Sequence, residues 1–64
     1  MENNVIRLMQ AMGTILKTSE ENAAKFADGN KSAGTRLRKN MQDVKQFAQA
    51  VRTEVQEQKN AVAA

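Results

Sequence analysis

Lys31, Arg38, Lys45, Arg52 and Lys59 recur at every seventh position of this chain, and on an α-helix that interval stacks them into one slowly drifting ridge. With about 1.5 Å of rise per residue, the ridge extends roughly 42 Å, a length suited to a polyanion rather than to one small ligand. The same spacing also describes the solvated flank of a coiled-coil seam, where cations merely keep a helix soluble. Both readings stay open on spacing alone.

The charge is unevenly placed. The net value is only +3 over 64 residues, yet Lys25, Lys31, Arg36, Arg38, Lys39 and Lys45 face only Asp28 and Asp43 within residues 25–45. The middle of the chain therefore holds the whole excess, which is the footprint expected of an anion-binding surface. Within it, Asn30, Ser32 and Thr35 open a second helical pattern, where first-turn N–H groups and hydroxyls can donate to a phosphate oxygen beside Lys31, Arg36, Arg38 and Lys39. The candidate phosphate-contacting residues are thus Lys25, Asn30, Lys31, Ser32, Thr35, Arg36, Arg38, Lys39, Lys45 and Arg52. Asn30, Ser32 and Thr35 are equally ordinary first-turn capping residues.

Other chemistries are poorly served. The chain has no His, Cys, Tyr or Trp, so general acid–base and nucleophilic catalysis lack their usual groups, and neither a disulfide framework nor a Cys/His zinc site can form. The expectation is no enzyme, no cofactor, no metal and no small-molecule substrate. Gly29-Asn30-Lys31-Ser32-Ala33-Gly34-Thr35 superficially suggests a P-loop, but no Lys follows Gly34 and no strand pattern precedes Gly29. Without Tyr or Trp, base stacking has little to use, so contact with a duplex backbone is the more natural mode. No apolar run approaches the length of a membrane span or a signal-peptide core. The chain is expected to remain in the cytoplasm, nucleoid-associated, with no membrane partner.

The elements that must position these residues are helical. Pro is absent, and Ala, Gln, Glu, Lys, Arg and Met are abundant. Val5, Met9, Met12, Leu16, Ala23 and Phe26 give a helical period after a candidate N-cap at Asn4, with an interruption at Ser19. Leu37, Met41, Val44, Ala48, Val51, Val55 and weakly Val62 give a second. Between them, Gly29 can adopt the left-handed conformation that closes a helix. The fold class is all-α: one domain over 1–64, with helices over 4–28 and 31–61 joined by a turn at 29–30 into an antiparallel helical hairpin. Facing positions should then add to about 60, pairing Val5 with Val55, Met9 with Val51, Met12 with Ala48, Leu16 with Val44, Ala23 with Leu37 and Phe26 with Gly34. Glu20 is placed to pair with Arg38.

That register leaves Leu8, Ile15 and Phe47 on an uncovered flank. A chain this short has a marginal core by itself, so these three residues are the expected oligomer interface, through which two hairpins would dimerise into a four-helix bundle.

The segment DGNKSAGTRLRKNMQDVKQFAQAVRTEVQEQKN, Asp28 to Asn60, resembles the bacterial linker-histone-like family first associated with chlamydial chromatin. The GNKSAGTRLRK turn and the following MQDVKQFAQAVRTEVQE carry the resemblance. It implies a nucleoid-associated protein that binds and compacts double-stranded DNA with little sequence preference, and places that role on Lys31, Arg36, Arg38 and Lys39, continued by Lys45 and Arg52. Chlamydial-type members carry a long Lys/Ala/Pro-rich tail, whereas this sequence reads Asn60-Ala61-Val62-Ala63-Ala64 at that point. Multivalency through a homo-oligomer is expected to stand in for that tail. The competing reading is a helical protein-interaction module with a solubilising basic face.

Overall fold

The computed structural model describes residues 3–63. It consists of α1, Asn4–Ala27, and α2, Lys31–Ala63, packed against each other as an antiparallel hairpin. The molecule is a rod, with extents of 53 × 19 × 11 Å and a radius of gyration of 15.3 Å, against about 11 Å for a compact chain of this length.

The helix ends follow local chemistry. Asn3, one residue before the expected cap, is the N-cap of α1, its Oδ1 accepting from the Val5 N–H at 2.8 Å. At the other end Gly29 has φ 103°. Its N–H reaches the Phe26 carbonyl at 2.9 Å and the Asn30 N–H reaches that of Lys25 at 3.0 Å, a Schellman closure that a side chain at position 29 would strain. Asn30 then caps α2 as expected, its Oδ1 accepting from the Ala33 N–H at 3.1 Å.

The register read from the sequence holds at both ends. Phe26 lies over Gly34, where an added Cβ would fall 2.6 Å from Phe26 Cδ1. Fifty-five positions apart in sequence, Asn3 and Gln58 exchange two side-chain hydrogen bonds of 2.9 Å. Gln58 also donates to Glu54 at 3.2 Å, and Asn4 to the same carboxylate at 3.4 Å. A polar clasp therefore closes the end remote from the turn.

The side chains chosen for the seam differ from expectation. Val5, Leu8, Met12 and Ile15 are half-buried on α1, and Leu37, Val44, Phe47 and Val51 on α2, while Met9, Leu16, Ala23, Met41, Ala48 and Val55 are exposed. The premise that Leu8, Ile15 and Phe47 lie on an uncovered flank is thus corrected: they face the opposing helix. Seating Phe47 rather than its neighbour Ala48 in the seam removes an aromatic ring from water. A contact between only two helices is about one stripe wide, so that choice turns Met41 and Val55 outwards, to 42% and 40% exposure. The side chain of Val62 lies outside the described residues.

Towards the turn the seam becomes polar. Ser19 and Asn22 are buried and Asn40 is half-buried, whereas among the described residues the fully buried apolar one is Ala33. Ser19 Oγ donates to the Ile15 carbonyl at 2.7 Å. Asn22 Nδ2 donates to Asn40 Oδ1 at 2.9 Å, and Asn22 Oδ1 accepts from Arg36 Nε at 3.2 Å. Among the described residues no buried side-chain polar atom lacks a partner, which is the condition for burying such groups without a large penalty.

Candidate nucleic-acid interface

Helical geometry sorts the candidate cations into two groups. Lys31, Arg38, Lys45, Arg52 and Lys59 are all exposed along one edge of α2. Neighbouring charges along it are roughly 10 Å apart. The Glu20–Arg38 ion pair that the register allows is not formed, and none of these five cations is tied to a side chain among the described residues. The edge therefore presents positive charge that no side chain among the described residues pairs with.

The second group lies around Asn22. Arg36 is exposed, but its Nε is held by Asn22, leaving the Nη atoms as its outward donors. Lys39, one turn further on, pairs with Asp43 at 2.6 Å. Lys25 is exposed on the last turn of α1, three residues after Asn22 and level with Arg36 across the hairpin. Arg38 thus belongs to the ridge, while its sequence neighbours Arg36 and Lys39 emerge elsewhere on the helix. Consecutive helical positions diverge by about 100°, which splits what looks like one cluster in the sequence.

At the turn, Ser32 and Thr35 are exposed in the first turn of α2, and among the described residues neither hydroxyl has a hydrogen-bond partner. Asn30 is different. Its Oδ1 is committed to the Ala33 N–H, so only its amide nitrogen remains to donate outward. Two residues of the site escaped the sequence reading: Asn22 and Asn40, which anchor Arg36. For Asn22 the signal is the strict heptad run Val5, Leu8, Met12, Ile15, Ser19, Asn22 and Phe26, which reads through the interruption at Ser19.

The basic edge runs along a rod whose extents are 53 × 19 × 11 Å. The family described as histone H1-like protein Hc1 matches residues 6–61. The chain belongs to that family. The match takes in nearly all of α1 as well as α2, beyond the Asp28–Asn60 stretch that carried the resemblance. This Hc1-family chain is accordingly a histone-like, DNA-binding nucleoid protein, and its family is not one of enzymes. No curated protein and no solved structure matches it. Among the described residues no helix is long and apolar enough to cross a membrane.

Proposed function

We propose that this Hc1-family protein binds duplex DNA without sequence preference, by laying the α2 edge of Lys31, Arg38, Lys45, Arg52 and Lys59 along the phosphate backbone. Lys25, Arg36, Lys39, Ser32, Thr35 and the Asn30 amide add donors at the turn. One observation carries the reading: the exposed, unneutralised cations of α2 recur at one interval over most of the helix. Lys and Arg contacts to phosphate position a protein on DNA but carry no sequence information. The edge cations are spread along α2 rather than gathered at one helix tip, as a recognition helix requires. In the cell, this reading puts the protein in the cytoplasm on the nucleoid.

Condensation needs more than coating. One hairpin presents a single basic edge, whereas a homo-oligomer presents two or more and can bridge separate duplexes.

The test is a titration of two duplexes of unrelated sequence at about 50 and 200 mM salt, where neutralising four to six phosphates predicts a log–log slope of roughly −4 to −5. Similar affinity for both sequences with that slope supports the proposal. Binding that ignores salt overturns it in favour of an apolar helical interaction module, for which the exposed Met9, Leu16, Met41 and Val55 would supply the contact.

A further inference from the structure

The hairpin leaves too much surface uncovered for a chain that folds alone. Its accessible area is 5123 Å², whereas the scaling for compact monomers gives about 4,100 Å² at this mass. The excess of about 1,000 Å² is close to the roughly 800 Å² that each partner contributes to a standard stable interface. Among the described residues no large side chain is fully buried.

The apolar part of that excess has a pattern on α1. Ile6, Met9 and Leu16 are 52%, 52% and 43% exposed, and with Gly13 they form the run 6, 9, 13, 16, alternating intervals of three and four. Each lies one position after a seam residue, Val5, Leu8, Met12 or Ile15, and therefore about 100° round the helix. Helix α1 thus carries two adjacent apolar stripes, the width of a bundle helix with two neighbours, but the hairpin supplies one. The matching stripe on α2 alternates Met41, Ala48 and Val55 with Arg38, Lys45 and Arg52, so burying it would desolvate the cations. The α1 stripe from 6 to 16 contains no charge.

Gly13 is the second indication. It sits in mid-helix, where glycine is unfavourable, and a Cβ there would meet nothing within 4 Å. Nothing inside the hairpin needs it to be small, unlike Gly34 beneath Phe26. A residue without a side chain in the middle of an exposed apolar stripe suits the close approach of another backbone.

We infer that two copies of this chain associate through α1, antiparallel across a two-fold axis near Gly13. The stripe is self-complementary about that point. Met9 of one copy packs on Leu16 of the partner subunit and the converse, while the two glycines let the helices approach at the crossing. This places the interface on Ile6, Met9, Gly13 and Leu16 instead of Leu8, Ile15 and Phe47. It leaves the α2 edge of each copy outside the contact, so under the proposed DNA-binding mode the dimer carries two basic edges.

The association is tested without DNA, so its outcome is separate from that of DNA binding. The chain contains no cysteine, which makes single-cysteine variants clean reporters. Under mild oxidation Gly13→Cys should form a disulfide-linked dimer at least ten times faster than Thr18→Cys, exposed about 140° further round α1, because a disulfide requires Cα atoms within about 7 Å. In sedimentation equilibrium the parent should weigh twice the 7.1 kDa chain, and Leu16→Glu and Gly13→Leu should move it to the monomer. Gly13→Ala keeps folding out of the readout, since Ala is the better helix former and has space in the hairpin. It should weaken association while circular dichroism at matched monomer content shows no loss of helix. A monomeric parent at several hundred micromolar overturns the inference, as does equal cross-linking at positions 13 and 18. Dissociation by Val55→Glu but not by Leu16→Glu would move the interface to α2 and overturn it equally.

Discussion

Helices α1 and α2 are built on the same heptad geometry, and each turns one stripe towards the other, yet the neighbouring stripe differs completely. On α1 it is Ile6, Met9, Gly13 and Leu16, and the helix nets only +1 from Arg7, Lys17 and Lys25 against Glu20 and Glu21. On α2 the corresponding positions alternate apolar residues with Arg38, Lys45, Arg52 and Lys59, and the helix nets +4. A rotation of one residue, about 100°, separates the stripe that holds the hairpin together from the stripe left exposed. Because the second stripe does not contribute to hairpin closure, its composition is free of that demand: apolar on one helix, alternately apolar and cationic on the other.

The largest expected effect breaks that contrast directly. Arg38→Gln with Lys45→Gln and Arg52→Gln removes three of the five edge cations, and should weaken duplex binding about a hundredfold or more near 0.1 M salt, flattening the salt slope by roughly 3. Arg7→Gln with Lys17→Gln, on α1, should cost far less. Binding isotherms of the two sets, with helicity checked by circular dichroism, decide the matter. Equal losses would mean that overall charge, and not the α2 edge, drives association.

A smaller effect concerns the polar seam that both helices share. Asn22→Ala leaves Asn40 and Arg36 without their partner and should destabilise the hairpin by about 1–3 kcal/mol in urea unfolding. If buried amides specify register here, as a single polar seam residue does in coiled coils, Asn22→Leu with Asn40→Leu should restore or exceed the parent's stability while allowing alternative pairings. A heteronuclear spectrum with one set of sharp peaks from the double variant would count against that specifying role.

Next is the contrast between the two mid-helix glycines. Gly34→Ala pushes against the Phe26 ring at 2.6 Å, so the gain in helix propensity of about 1 kcal/mol should be cancelled or reversed, and should reappear in the Phe26→Ala background. Thermal melts of the four variants form the cycle. An unconditional gain at position 34 would show that the ring swings aside freely.

The smallest effect is at the Lys39–Asp43 ion pair, whose lysine side chain is 70% exposed. Asp43→Asn should lower stability by only a few tenths of a kcal/mol. It also releases Lys39, so duplex affinity should rise slightly at low salt. A fall in affinity would remove Lys39 from the phosphate-contacting set.

The sequence by itself determined the elements, the turn and the register. Helix formers without proline, the Gly29–Asn30 closure, and the Phe26–Gly34 match of large against absent side chain are local or pairwise facts, and local chemistry needs no further information to act. The seven-residue interval of the cations was equally legible, because a repeat on a continuous helix maps directly onto one edge. Only the tertiary structure decided which of two adjacent stripes closes the hairpin. Leu8 or Met9, Ile15 or Leu16, Phe47 or Ala48 are near-equivalent choices by hydropathy, and the count of apolar residues at helical spacing favoured the wrong member each time. The actual seam runs through Ser19, Asn22 and Asn40, since those groups satisfy one another once two helices are packed, and no single-helix period registers a hydrogen bond between Asn22 and Asn40. The same packing separated Arg36 from Arg38, adjacent in the cluster but on different sides of α2, because direction around a helix becomes a direction in space only when the partner helix fixes which side is inside.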